Sequence, residues 1–173
     1  MRVTCEVTPH HIWFWDSDFR VNPPIRAKED VEALIAAMLR GEVEAIATDH
    51  APHTAWEKDR EFELAPFGMI GLETSLGLVI TNLVATGKIS WERMTELMGA
   101  NQRAILGVER VALEAGSTAD LTVIDPEAAW TVDAADFCSK AKNSGFIGAQ
   151  LTGRATDVYV GGYATMEDGK IVE

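Results

Sequence analysis

Ile46-Ala47-Thr48-Asp49-His50-Ala51-Pro52-His53 decides how the rest of the chain is read. A short apolar run that ends in an acid and two histidines has the pattern of a buried strand carrying polar side chains at its C-terminal tip. In a parallel α/β barrel the active site is built at that end of the strands, which makes Asp49 a candidate metal ligand or proton carrier. The plain alternative is a turn, because Asp and His ahead of a proline also open ordinary turns. On these residues alone both readings stand.

Upstream, residues 2 to 9 alternate as a strand, which Pro9 ends by removing a backbone donor. His10 and His11 then open an aromatic-rich loop running to Trp15. Neighbouring side chains on an extended chain point to different sides, so this pair is assigned to packing or to supporting the site rather than to one shared ion. Pro23-Pro24 fixes two φ angles and biases Asn22 toward extended geometry, which sets a polar residue rigidly ahead of a helix. From Lys28 the apolar residues Val31, Leu34, Ile35, Met38 and Leu39 recur at helical spacing, acids crowd the first turn and Gly41 stops the run. That helix should cover the next strand, Ala45 to Thr48.

Downstream, residues 50 to 68 form a connection longer than most, and loops of that length are usually functional. Its charged run, Glu57-Lys58-Asp59-Arg60-Glu61, reads as solvated surface. Helices are expected over 72–86, ending at Gly87, over 91–99 behind a Ser90 cap, and from near Asn101 to Gly107. After Gly116 strand runs at 119–125 and 156–162 are followed by the hairpin-like Glu167-Asp168-Gly169-Lys170. The chain therefore divides into 1–107, barrel strands and helices with active-site loops, and 108–173, a C-terminal β module.

The 173 residues carry a net charge of −12 with no basic cluster, which opposes binding to nucleic acid or an anionic membrane. Cys5 and Cys138 stand far apart without metal-type spacing and read as reduced thiols of a cytoplasmic protein. No apolar run is long enough to span a bilayer, and no secretory signal opens the sequence. A complete (β/α)8 barrel takes about 250 residues, and only two strand-plus-helix units are found here, so a C-terminal fragment is expected.

Val21-Asn22-Pro23-Pro24-Ile25-Arg26, the T-D-H-A-P-H run at 48–53 and P-F-G-x-x-G-L-E-T at 66–74 occur in that order. Glu6-Val7-Thr8-Pro9-His10-His11 precedes them, and Ser139-Lys140, Asn143 and Leu151-Thr152-Gly153-Arg154 follow. Together they resemble the second half of a dihydroorotase, class I type, of the amidohydrolase superfamily. The short Asn101-Gln102-Arg103-Ala104-Ile105-Leu106-Gly107 run resembles a further family motif with changes at its centre, and it is given no function. The resemblance implies the C-terminal part of a (β/α)8 metal-dependent hydrolase barrel, followed by strands of a small β-sandwich assembled from both chain ends.

The resemblance also implies an activity, the reversible cyclisation of N-carbamoyl-L-aspartate to dihydroorotate in pyrimidine biosynthesis, with two zinc ions per active site. Such chemistry needs an activated water, a polarised carbonyl and a group that moves a proton to and from the ring nitrogen. By its place in the motif Asp49 is the expected metal ligand and proton carrier. His53 is expected to bind the substrate carboxylate, and Asn22 with the backbone of Phe67 and Gly68 to bind the ring. The remaining metal ligands would lie before residue 1, so the chain alone is expected to be inactive and to self-associate. Expected partners are the small-molecule substrate, further copies of the chain and aspartate transcarbamoylase. The alternatives are another cyclic amidohydrolase (a hydantoinase, dihydropyrimidinase or allantoinase) and a non-catalytic dihydroorotase-like scaffold for aspartate transcarbamoylase.

Overall fold

A computed structural model describes residues 3–172. Strand β1 (Glu6–Val7) and strand β2 (Ala45–Ile46) pair in parallel, Glu6 opposite Ala45 and Val7 opposite Ile46. Helix α1 (Lys28–Leu39) connects them and ends at Gly41, whose φ of +79° suits a residue without Cβ. Strand–helix–parallel strand is the repeating unit of a parallel barrel.

Both strands are shorter than the sequence patterns suggest. The strand expected over 2–9 begins outside the described residues and keeps ladder pairing only at Glu6 and Val7. Single hydrogen bonds from Glu44 N to Cys5 O (3.1 Å) and from Ala47 N to Val7 O (3.0 Å) extend it. Pro9 does end the strand, but it also starts a 3-10 turn, Pro9–Ile12, capped by Thr8. His10 and His11 are therefore not on extended backbone, and their rings lie 4.4 Å apart instead of pointing to opposite sides.

Helix α2 (Ala55–Lys58) sits inside the long connection after β2. Helix α3 (Ser75–Val79) starts three residues later than expected and continues as one widened turn, Ile80–Val84, to Gly87 at φ +70°. The two helices expected over 91–99 and 101–107 form one continuous rod. Ser90 caps α4 (Trp91–Thr95), which passes through a second widened turn, Glu96–Ala100, directly into α5 (Asn101–Leu106). Nothing between Gly99 and Asn101 removes a donor or needs a left-handed backbone, so the helix is not interrupted. Gly107, at φ +67°, ends it as read.

The C-terminal sheet is antiparallel in the order β3 (Leu121–Thr131), β4 (Gln150–Val160), β5 (Tyr163–Glu167), β6 (Lys170–Ile171). Pro126 is accommodated in β3 where the register with β4 shifts, between Asp125 and Ala129. Gly161-Gly162 and Asp168-Gly169 turn the two hairpins with positive φ at both positions, the geometry whose twist matches the flanking strands.

Two apolar clusters hold these layers. One packs Val7 and Ile46 of the strands against Met38 of α1, Val79 and Leu83 of the α3 rod, and Met94 and Leu97. The other brings Val21, Met69, Ile70 and Leu78 together with Val132, Phe137, Phe146 and Leu151. Residues on both sides of position 107 thus share one core. At the α3–β4 contact, a Cβ on Gly77 would lie 2.9 Å from the Trp130 ring and 3.2 Å from Leu151, so only glycine allows that approach.

Candidate active site

Asp49 stands three residues past Ile46, the last residue of β2, exposed, at φ +48°. Aspartate is one of the few L-residues that visit this left-handed region. Holding it there costs on the order of 1–3 kcal/mol, and such strain is concentrated at functional sites. The carboxylate makes no side-chain hydrogen bond among the described residues, which leaves both oxygens open to a ligand.

Two glycines lock the second motif onto this tip. Met69 runs parallel beside His50, and Ala51 N donates to Met69 O at 2.9 Å. A Cβ on Gly68, which has φ +116°, would lie 2.4 Å from Ala51 Cβ, and one on Gly71 would lie 2.7 Å from Thr48 O. The P-F-G-x-x-G spacing is thus what two close backbone approaches demand. His50 Nδ1 accepts from Gly71 N (3.1 Å) and Leu72 N (3.4 Å), so that ring nitrogen is unprotonated.

Asn143 ties the rest together across some ninety residues of chain. Its Nδ2 donates to Ala51 O (2.9 Å) and Gly68 O (3.3 Å), and its Oδ1 accepts from His53 N (3.0 Å). His53 Nε2 lies 2.9 Å from Phe67 O, and because a carbonyl only accepts, that nitrogen carries the proton. On the far side Gly68 N donates to Arg20 O (2.9 Å), and His11 Nε2 donates to Pro23 O (2.7 Å), which fixes the Asn22 segment from both ends. Asn22 itself is exposed.

Of the five residues expected from sequence, His53, Phe67 and Gly68 are joined directly in one hydrogen-bonded framework, while Asp49 stands beside the pinned His50 and Asn22 between the pinned Arg20 and Pro23 carbonyls. Its members are used differently from the simplest expectation. The Phe67 carbonyl already accepts from His53, and the Gly68 amide and carbonyl are both engaged within the chain, so this peptide is scaffold as well as surface. A carbonyl has two lone pairs, and one remains on the Phe67 oxygen for a ligand.

Three contributors had no assigned role in sequence. Asn143 carried no local signal beyond its place in a motif. Glu73 of the G-L-E-T run accepts from Cys138 N (2.7 Å) and Ser139 N (3.0 Å), anchoring the loop that leads to Asn143. Lys58 is not solvated as its charged run suggested. It is half-buried, and its ammonium donates to Arg20 O, Pro66 O and Gly68 O at 3.3, 2.9 and 3.1 Å. Burial, and then the Arg20 charge, push its pKa below the ordinary lysine value. Nearby, burial and the neighbouring His11 lower His10 to about 4, and its Nε2 has no hydrogen-bond partner among the described residues.

No group of three or more His, Cys, Asp or Glu side chains among the described residues could hold a metal ion. Asp49 offers one carboxylate and no companion ligand, so the residues present do not by themselves fit a metal centre.

The architecture is that of the amidohydrolase-type barrel enzymes, of which this chain forms the C-terminal part. It superposes on L-hydantoinase (dihydropyrimidinase) from Arthrobacter aurescens with a TM-score of 0.92, covering 99% of this chain and 41% of that one at 31% identity. Within that class the relatives by sequence are dihydroorotases. That of Chlorobaculum tepidum is 45% identical over 168 residues, 92% of this chain and 38% of the relative. That of Pelotomaculum thermopropionicum is 45% identical over 175 residues, 97% of this chain and 41% of the relative. The chain thus spans about two-fifths of the length of the curated relatives it matches. No family model matches it. No helix among the described residues is long and apolar enough to cross a membrane.

Proposed function

We propose that the protein carrying this chain is a zinc-dependent dihydroorotase that interconverts N-carbamoyl-L-aspartate and dihydroorotate in pyrimidine biosynthesis. The observation that carries the reading is the interlock of T-D-H-A-P-H with P-F-G-x-x-G, which fixes Asp49, His53 and the Phe67–Gly68 peptide on one framework. In ring opening, the Asp49 carboxylate accepts the proton of the attacking water and delivers it to the ring nitrogen as the C–N bond breaks. Ring closure reverses both transfers. With Nε2–H held by the Phe67 carbonyl, Nδ1 is the His53 ring nitrogen that faces the substrate carboxylate. Asn22 and the Phe67–Gly68 backbone orient the planar amide edge.

Asp49 is the one carboxylate this chain would offer to a zinc pair, which when bound would supply Lewis acidity and an acidified water. The chain by itself is therefore inactive under this reading. The same reading divides the chain between barrel and β module at 107/108. It also places the protein in the cytoplasm and makes further copies of the chain and aspartate transcarbamoylase its candidate partners. The hydantoinase reading is kept as the rival because of the superposition on L-hydantoinase. Assay of the full-length protein with N-carbamoyl-L-aspartate, dihydroorotate, dihydrouracil and hydantoin separates the two. Faster turnover of either uncharged ring would replace dihydroorotase by its cousin.

A further inference from the structure

Lys58 ends the short helix α2, whose start is fixed by a capping box in which Thr54 N donates to Glu57 Oε2 (2.8 Å) and Glu57 N to Thr54 Oγ1 (3.2 Å). An ammonium has three N–H groups, and the carbonyls of Arg20, Pro66 and Gly68 use all three. The same ammonium stands 4.8 Å from the centre of the Phe19 ring. No carboxylate lies within ion-pair distance of it among the described residues, so carbonyl dipoles and an aromatic face satisfy the charge. With no N–H left over, Lys58 has nothing to offer a ligand directly. What it does is join the segment just before Asn22 to the Pro66–Gly68 segment from a third point of the chain. The Gly68 N to Arg20 O hydrogen bond joins the same two segments, so removing Lys58 loosens the pair without separating it.

We propose that Lys58 is a positioning residue for the ring pocket. Its ammonium sets the separation between Asn22 and the Phe67–Gly68 peptide, and so the width of the slot in which a cyclic amide edge is read. This rests on the cyclic-amidohydrolase reading of the site. A compact point charge suits three converging carbonyls, a geometry that the planar fork of arginine does not reproduce.

The test uses the full-length protein with Lys58→Met and with Lys58→Cys, the latter before and after alkylation by 2-bromoethylamine, which rebuilds an ammonium on a side chain of nearly the same length. The unsubstituted protein, which carries Cys5 and Cys138, is alkylated in parallel as the control. Rates are normalised to the folded, zinc-loaded fraction, so that a purely structural role drops out. Misplacement of a binding element by about 1 Å costs about 10²-fold. Lys58→Met is therefore expected to lose about that much in normalised kcat/KM, divided between a higher KM and a lower kcat, and alkylation of the Lys58→Cys protein is expected to recover most of it. A normalised loss of less than about tenfold, or a larger loss that alkylation leaves unchanged, overturns the proposal. Failure of the functional reading shows separately, as an unsubstituted protein that turns over none of the four substrates, and it would take this inference with it.

Discussion

Asparagine shares the tolerance of aspartate for left-handed backbone, so Asp49→Asn keeps the turn and side-chain size while it removes the proton acceptor and leaves only a neutral amide oxygen as a ligand. The kcat of the full-length protein should fall about 10²- to 10⁴-fold with little change in thermal midpoint. A rate within about tenfold of the unsubstituted protein would assign the proton to another residue. His53→Ala should instead lose about 10- to 100-fold in kcat/KM, the worth of a charge-assisted contact, at unchanged zinc content. Stoichiometric loss of zinc would make His53 a ligand. His10 makes a prediction about stability. Its buried ring titrates at about 4 against an ordinary 6.5, so between those values the unfolded chain binds more protons than the folded one. Stability is then complete above about pH 6.5 and falls as the pH drops toward 4, by about 3 kcal/mol at most. Urea midpoints measured from pH 7 to 4 should show that slope, and His10→Gln should flatten it; a slope that survives the substitution belongs to other groups.

Between elements, the decisive contacts are close backbone approaches that only glycine permits. Gly71→Ala drives a methyl into the Thr48 carbonyl, and Gly68→Ala drives one into Ala51 while also straining a φ of +116°. Each should cost about 1–3 kcal/mol by overpacking and displace the tip that carries Asp49. Gly99→Ala is the control, because its Cβ would meet nothing within 4 Å in a helical segment. There alanine should be neutral or stabilise by up to about 1 kcal/mol. Equal urea midpoints for the three variants would show that the two motifs are not locked in this way. The rod from Trp91 to Leu106 has its own function in the packing. Asn101 Nδ2 donates to Glu44 O (2.8 Å) and Gln102 Nε2 to Ile46 O (3.1 Å), which satisfies one carbonyl just before β2 and one within it from the side.

Across the whole molecule, the second core is assembled from both sides of position 107. Phe146 stacks on Phe14 with ring centres 4.6 Å apart, and meets the Trp13 ring edge-on at 6.1 Å. Residues 1–107 and 108–173 expressed separately should each lack a cooperative thermal transition, and Phe146→Ala in the joined chain should cost about 3–5 kcal/mol. A sharp, independent melt of either piece would show that it is self-sufficient. Much of this arrangement was legible in the sequence, because the signals are local. Helical spacing and Gly41 define α1, Ser90 and Gly107 mark the ends of the last rod, and the order of the motifs picks out Asp49, His53 and Gly68. Element lengths were less legible, since a strand keeps only the residues that find a ladder partner and a helix continues unless something stops it. The tertiary structure alone decided what Lys58, Asn143, Glu73 and His11 do. Their partners are mostly backbone groups, and those of Asn143 and Glu73 lie more than 60 residues away. A carbonyl or amide in the chain looks the same whatever residue bears it, so no pattern of side chains announces which one a distant ammonium or amide will find.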